Sequence, residues 1–309
     1  VPDVDKRINA GVHPILVVEM SFRDLVERPD ILLMPVAHDV MSAVLAERAG
    51  FHAIACAGYA NSASLLGRPD VGLLTQTEMV QCAARMVEAV SLPVFADGDT
   101  GHGGLLNVSR TVTLFERAGV QALMLEDQAG TKRCGHMDGK DVVSAEEMEG
   151  RLRAALQSRQ GQDMMIVART DSRQTHGLDD AVERANRYLD AGADMVFVEA
   201  PQSREELESI PRLVKGPVMA NMIPGGRTPL CSATELQRMG YSMVAFPTLL
   251  THAMAATAED LLRELRESGD ASKLHPRMIG FGALHEVLGM GDLRAKEEGW
   301  GRGPDRPRR

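Results

Sequence analysis

No apolar run in the 309-residue chain approaches the ~20 residues that a bilayer-spanning helix needs. The first residues, Val1-Pro2-Asp3-Val4-Asp5, do not read as a secretory leader. An excess of positive charge is also missing. The 34 Lys and Arg are outnumbered by 43 Asp and Glu, for a formal net charge of -9. That balance argues against nucleic acid and membrane surfaces as partners. Paired cysteines are missing too. Cys56, Cys82, Cys134 and Cys231 show no CxxC spacing. The first, second and fourth read as small buried or partly buried residues of a reducing compartment, so a cytoplasmic location is expected. No GxGxxG follows the first predicted strand, which removes the main cue for a dinucleotide fold. What is present is ordinary for a globular chain: 25% charged and 44% hydrophobic residues, enough for one sizeable core.

One local pattern recurs. A helix-like segment ends in Gly, two or three residues follow, and a short apolar run begins. Gly50, Gly119, Gly192 and, more loosely, Gly240 introduce runs over 51–55, 120–124, 193–197 and 241–245. Each Gly is the left-handed residue that stops a helix. Each run lacks polar alternation, which predicts a strand covered on both faces. Further strands are predicted over 31–34, 93–97, 164–169 and 217–221, giving eight. Capping boxes announce helices: Thr75 with Glu78, Ser144 with Glu147, Ser203 with Glu206 and Ser232 with Glu235. Met79, Ala83, Met86, Val87 and Val90 then recur at helical spacing. Eight strands each followed by a helix predict an α/β chain folded as a (β/α)8 TIM barrel rather than an open doubly wound sheet. Residues 1–270 would form this barrel, with a helical lead-in over 21–27 and a closing helix over 251–267. Residues 271–300 would add helices carrying Met278, Ile279, Phe281, Leu284, Val287 and Leu288, which need a surface such as a partner subunit. The Pro-, Gly- and Arg-rich residues 301–309 read as a disordered tail.

In such a barrel, reactive groups collect at the C-terminal ends of the strands. There the chain places Asp97 and Asp99, Glu126 and Asp127, Arg169 and Asp171, Glu199 and Asn221, with Asp70 in the loop after strand two. Asp97 and Asp99, two apart, share one side of an extended backbone, and Glu126 from the next strand can reach the same spot. Clustered carboxylates repel unless positive charge sits among them. An all-oxygen set without His or Cys spacing suits Mg²⁺ or Mn²⁺ rather than zinc. Taken singly, each acid reads equally well as a helix cap or an arginine partner. Arg169, the only cation in its apolar strand, is placed to grip a carboxylate bidentately or to pair with Glu199 or Asp171. The densest chemistry lies on the loop Lys132-Arg133-Cys134-Gly135-His136, just past strand four. Its cations favour thiolate and ready proton exchange at Cys134. One Cys-x-His without a second pair is weak evidence for zinc. His38 and His102 follow strands on the same face and read either as site groups or as hydrogen-bonded loop residues. His13, His52, His252, His275 and His285 read as structural or exposed.

The loop 132–136, preceded by Glu126-Asp127-Gln128, resembles the signature of the isocitrate lyase and phosphoenolpyruvate mutase superfamily. Within it, the chain is most similar to the methylisocitrate lyase and 2,3-dimethylmalate lyase branch. Collinear matches run through Leu66-Gly67-Arg68-Pro69-Asp70, Asp97-Gly98-Asp99-Thr100-Gly101, Ala168-Arg169-Thr170-Asp171 and Ala220-Asn221-Met222. The resemblance implies Mg²⁺ bound directly by Asp97, with Asp70, Asp99 and Glu126 acting mostly through water. It implies that the Cys134 loop is a mobile lid, and that homotetramers swap C-terminal helices between neighbours. It makes Cys134 a proton donor, with Lys132, Arg133, His136 and Arg169 around it. The turn Ala57-Gly58-Tyr59 would bind substrate carboxylate, together with Gly135, Glu199, Asn221, Arg227 and Thr228.

The chain departs from the family in places. Lyases usually read Asp-Ala-Asp where this chain has Asp97-Gly98-Asp99, and an aromatic residue commonly stands at the position of His102. The methylisocitrate enzymes carry a Tyr and a Ser-Gly-Gly turn where Ala55 and Ala57-Gly58-Tyr59 stand. Gly225-Gly226-Arg227-Thr228-Pro229 resembles the dimethylmalate lyase and carboxyphosphonate branches. The reaction so implied is metal-dependent carbon–carbon cleavage of a 2-hydroxy di- or tricarboxylate, of the 2-methylisocitrate or 2-alkylmalate type, to a 2-oxo acid such as pyruvate plus a carboxylate. The rivals are a phosphonate C–P bond enzyme, an oxaloacetate-type hydrolase and a non-catalytic barrel.

Overall fold

The apolar runs become strands and the capped segments helices in a computed structural model that describes residues 20–130, 132–135, 139–161 and 163–301. His13, His136 and residues 302–309 of the expected tail lie outside the described residues. The strands are β1 (Leu32–Ala37), β2 (Ile54–Cys56), β3 (Val94–Asp97), β4 (Ala122–Glu126), β5 (Met165–Thr170), β6 (Met195–Val198), β7 (Val218–Asn221) and β8 (Met243–Phe246). Each pairs in parallel with its neighbour in sequence, and β1 closes on β8, which makes the expected (β/α)8 barrel. Helix α1 (Phe22–Glu27) precedes β1, and α2 (Val40–Arg48) follows it. After β2 come α3 (Gly58–Asn61), a π-turn over Ser62–Leu66 and α4 (Gln76–Ala89). The next three strands lead into α5 (Leu105–Arg117), α6 (Ala145–Ser158), and the pair α7 (Ser172–His176) and α8 (Leu178–Asp190). The last three lead into α9 (Arg204–Leu213), α10 (Ala233–Met239) and α11 (Leu249–Ser268), beyond which lie α12 (Phe281–Val287) and α13 (Met290–Gly301).

Apart from exposed Leu33 in β1, both faces of the strands are buried or half-buried, which is why the sequence shows no polar alternation. Alternate residues serve two cores. Ile54, Ala96, Leu123, Leu125, Ile166 and Val196 pack outward against the helices. Met34, Phe95, Met124, Met165, Met195 and Met219 point into the barrel and fill it largely with flexible thioether side chains. The lead-in helix α1 belongs to the inner core. Fully buried Phe22 packs on Phe95, with ring centroids 6.0 Å apart, and its N–H donates to Gln121 Oε1 at 2.9 Å. Burial of such a side chain is worth about 1.5–3 kcal/mol.

Some boundaries differ from the sequence reading. Strand β1 runs on to Ala37 because its later residues remain buried, and β2 starts only at Ile54. The boxes at Thr75 and Ser232 are complete. Those at Ser144 and Ser203 keep only the hydroxyl half: Glu147 turns to Arg151, while Glu206 takes Arg173 and the Gln202 N–H. Beyond the barrel, α11 buries only Thr251 and leaves Leu249, Met254, Leu262 and Leu265 in solvent, while Phe281 and Trp300 are 83% and 81% exposed. Among the described residues, no helix is long and apolar enough to cross a membrane.

Candidate active site

Parallel strands deliver their last residues to one rim. Pairing of β4 with β5 sets Glu126 opposite Arg169, and pairing of β3 with β4 sets Asp97 opposite Met124. At this rim lies a cavity of about 280 Å³. Its floor is apolar: Met34, Val36, Phe95, Met124, Met219 and Ala245. Its walls carry Asp70, Asp97, Lys132, Cys134, Gly135, Arg169, Glu199, Asn221 and, from the other side, Ala57, Tyr59 and His252.

The carboxylates converge, though not as extended backbone requires. Asp99 has a positive φ of 49°, so β3 ends at Asp97 and the chain turns back there. Asp97 Oδ1 accepts the Asp99 N–H at 3.0 Å, and its Oδ2 accepts the Gly58 N–H at 3.3 Å. That Gly58 N–H is therefore taken by Asp97, while Ala57 and Tyr59 of the same turn line the cavity. Between the carboxylates sits the ammonium of Lys132, 6% exposed. It lies 2.9 Å from Asp70 Oδ2 and 3.7 Å from Asp97 Oδ2, and it also pairs with Asp99. Lys132 thus belongs to the carboxylate cluster as much as to the Cys134 loop.

Burial and neighbouring charge divide these groups. Burial works upward on Asp97, but Lys132 and Arg169 hold it below the ordinary carboxylate value. Burial pushes Asp99 up to about 6, with Asp97 and Asp70 adding to it against the pull of Lys132. Burial also raises Glu126 well above its ordinary value, although Arg169 Nε lies 3.4 Å away. Among the described residues, neither Glu126 oxygen has a hydrogen-bond partner. Burial would lower Lys132, yet the surrounding carboxylates raise it well above the usual lysine value.

Arg169 is the second cation. Its Nε and Nη2 donate to Asp171 at 2.8 and 3.0 Å, and Nη1 lies 3.2 Å from Glu199. Both structural partners offered by the sequence are therefore real, and the guanidinium still lines the cavity. Asp171 is steadied from behind, where its N–H donates to buried Asp127 at 2.9 Å.

Other expected residues fall elsewhere. Arg133 is exposed, and neither it nor Arg227 or Thr228 lines the cavity. Thr228 is buried on the far side of β7, near Ala200 and Tyr241, so Ile223, Pro224, Gly225 and Gly226 of that loop take its place in the wall. Neither His38 nor His102 lines the cavity; His102 takes a φ of 59° in the β3 loop. Cys56 and Cys231 are buried and Cys82 half-buried, as expected, and all four cysteines are free thiols. His252, which reads from sequence as structural or exposed, accepts or donates a 2.9 Å hydrogen bond with the Tyr59 hydroxyl. Thr248, just before the same helix, lines the cavity with a buried hydroxyl that has no hydrogen-bond partner among the described residues. No short-range signal marks either residue, because the β8–α11 turn places them.

Among the described residues, no three His, Cys, Asp or Glu side chains stand at metal-ligand spacing. Asp70, Asp97 and Asp99 are instead arranged around the Lys132 ammonium. The donor set nevertheless fits a hard dication. It is all oxygen, it draws three carboxylates toward one cationic position, and the buried Glu126 oxygens beside it have no hydrogen-bond donor.

The profile of the phosphoenolpyruvate phosphomutase family matches residues 22–266. The chain belongs to the phosphoenolpyruvate mutase/isocitrate lyase superfamily. Within this superfamily it is 43% identical over 283 residues to the 2,3-dimethylmalate lyase of Eubacterium barkeri, covering 92% of this chain and 98% of that protein. It is 41% identical over 277 residues to the 2-methylisocitrate lyase of Halalkalibacterium halodurans, covering 90% and 91%. In structure it is similar to oxaloacetate acetylhydrolase in complex with the inhibitor 3,3-difluorooxalacetate, with a TM-score of 0.87, 32% identity, and coverage of 91% of this chain and 96% of that one. Superfamily members are metal-dependent, in keeping with the oxygen-rich cluster.

Proposed function

We propose that the protein is a Mg²⁺-dependent carbon–carbon lyase that splits a 2-hydroxy di- or tricarboxylate of the 2-alkylmalate or 2-methylisocitrate type into pyruvate, or a similar 2-oxo acid, and a carboxylate. One observation carries this reading. A thiol (Cys134) and two buried cations (Lys132 and Arg169) meet a carboxylate cluster in one cavity whose floor is hydrocarbon. The apolar floor suits an alkyl substituent, and the charged rim suits the carboxylates. Names of relatives at 43% and 41% identity point the same way.

Asp97, Asp70, Asp99 and Glu126 would hold Mg²⁺, or Mn²⁺ in its place. When bound, the metal supplies Lewis acidity toward the 2-hydroxyl and its neighbouring carboxylate. The chain's residues do the rest. Arg169, locked in place by Asp171 and Glu199, presents fixed positive charge to the substrate carboxylates without having to reorganise. Tyr59, paired with His252, and Asn221 offer hydrogen bonds across the cavity. Burial raises the Tyr59 phenol, with Cys134 and Asp70 adding to it, so it stays a donor at neutral pH. The 2-hydroxyl gives its proton to a carboxylate of the rim cluster and becomes the C=O of the 2-oxo acid; the electron pair of the C–C bond that breaks passes to the departing fragment, and Cys134 gives that carbon its proton. Cys134 and Gly135 line the cavity, and their loop, acting as a lid, would keep water from the reacting carbon.

The decisive measurement is a panel of 2-alkylmalates, 2-methylisocitrate, phosphonates and oxaloacetate, followed by release of 2-oxo acid. Turnover of a 2-hydroxy acid, lost with EDTA and restored by Mg²⁺, is the expected result. Turnover of a phosphonate alone would replace this reading with C–P chemistry. The structural likeness to a hydrolase favours a second reading, hydrolysis of a 2-oxo diacid such as oxaloacetate. Cys134→Ser should lower kcat about 100-fold with an unchanged melting temperature. Full activity in that variant would remove the thiol from the mechanism. We further propose a cytoplasmic homotetramer in which the helices within 271–300 exchange between subunits. Their uncovered Phe281 and Trp300 support this.

A further inference from the structure

Two buried side chains outside the catalytic set hold the Cys134 segment from either side. On the near side, Gln128 is 1% exposed and uses its amide as a strand would use its backbone. Its Nε2 donates to the Arg133 carbonyl at 2.9 Å, and its Oε1 accepts the Arg133 N–H at 2.9 Å. The Cys134 N–H then donates to the Asp70 carbonyl at 3.1 Å. On the far side, the Lys140 ammonium donates to the Gly135 carbonyl and to Asp171 Oδ1, the latter at 2.8 Å. The side chains of this ion pair are 1% and 0% exposed. Burying a lysine costs both desolvation and rotamer entropy. Here the ammonium is kept by two partners that belong to different parts of the site.

The second partner gives the tie its meaning. Asp171 is the carboxylate that grips Arg169 through two hydrogen bonds. Burial would push Asp171 up, but Arg169 and Lys140 hold it down at about 2. One buried anion thus carries the cavity's guanidinium on one side and the loop's anchor on the other. Gly135 completes the contact. A Cβ there would overlap Arg169 Nη2 and Glu199, so the loop backbone lies directly on the charged pair.

We propose that Gln128 and Lys140 are positioning residues, which clamp the loop backbone at Arg133 and at Gly135, on either side of Cys134, and thereby register its thiol against Arg169. Neither touches the reacting atoms. Both act through the backbone of the loop, and Lys140 couples that backbone to the same Asp171 that orients the guanidinium. The functional half of this inference rests on Cys134 as proton donor in the lyase reading, whereas the structural half does not.

The test uses the full-length protein with Gln128→Leu and Lys140→Met made separately. Iodoacetamide alkylation is located by mass spectrometry, and Cys134 labelling is normalised to half-buried Cys82. Each variant should raise the Cys134/Cys82 ratio about tenfold and lower kcat about 30-fold, with KM changed less than about threefold, because a thiol displaced by about 1 Å reacts poorly while binding persists. Either variant suffices if the other does not fold. An unchanged ratio in a folded variant overturns the clamp, whatever happens to kcat. A raised ratio in a protein whose Cys134→Ser form keeps full lyase activity upholds the clamp and refutes the thiol's catalytic role.

Discussion

Asp171 shows how much of this site depends on single ionic contacts. It is buried, and its carboxyl is held at about 2, below the usual 3.8, because Arg169 and Lys140 outweigh burial. A depressed folded-state value means that the unfolded chain binds the proton more readily. The stabilisation is therefore complete above about pH 4 and lost as pH falls through about 2. Urea midpoints measured across that window should drop in the wild type by an amount on the order of 2 kcal/mol more than in Asp171→Asn. Parallel slopes in the two proteins would show that the pairing contributes nothing. Tyr59 offers a milder case. Its hydroxyl, bonded to His252, is half-exposed at the cavity mouth. Tyr59→Phe should raise KM about five-fold and leave kcat within about two-fold, as loss of one substrate hydrogen bond would. A fall in kcat with constant KM would make the phenol part of the chemistry instead.

At the scale of elements, the close approach of β3 to β4 explains the departure at Gly98. A Cβ at Gly98 would stand 2.9 Å from the Met124 carbonyl oxygen and 3.0 Å from Leu123 Cδ1. Backbone cannot move away cheaply there, because the Gly98 N–H donates to that same carbonyl at 2.8 Å. Gly98→Ala should therefore cost about 1–3 kcal/mol through overpacking, measured as a shift in urea midpoint. It should also weaken Mg²⁺ binding, since Asp97 and Asp99 flank the position. The helix-stopping glycines and the complete boxes at Thr75 and Ser232 were legible in sequence, because each depends on residues within a turn of one another; the order of strands was legible because parallel strands joined by a single crossover helix pair with their neighbours in sequence. The one-sided boxes at Ser144 and Ser203 were not, because Arg151 and Arg173 compete for Glu147 and Glu206.

For the whole molecule, the last helices present apolar side chains that the barrel does not cover. Leu249, Met254, Leu262 and Leu265 on α11 are exposed, and so are Phe281 and Trp300 beyond it. Ending the chain after residue 270 should convert the proposed tetramer into smaller species by light scattering and lower the melting temperature. An intact tetramer would place its interfaces on the barrel instead.

Sequence by itself determined the barrel, the rim on which chemistry gathers, and the superfamily. Those follow from local periodicity, from capping residues, and from motifs whose members lie within a few positions. It also placed Asp70, Asp97, Cys134, Gly135, Arg169, Glu199 and Asn221 at one cavity, because strand order in a barrel dictates which ends are neighbours. Only the tertiary structure decided that Lys132 lies among the carboxylates, that the Gly58 N–H is taken by Asp97, and that Thr228 faces away. It alone brought in His252, Thr248 and Lys140, and it showed what Gln128 of the motif holds. Loop trajectories at a strand end depend on which distant carboxylate or carbonyl captures a side chain, and that competition is settled only when the barrel closes.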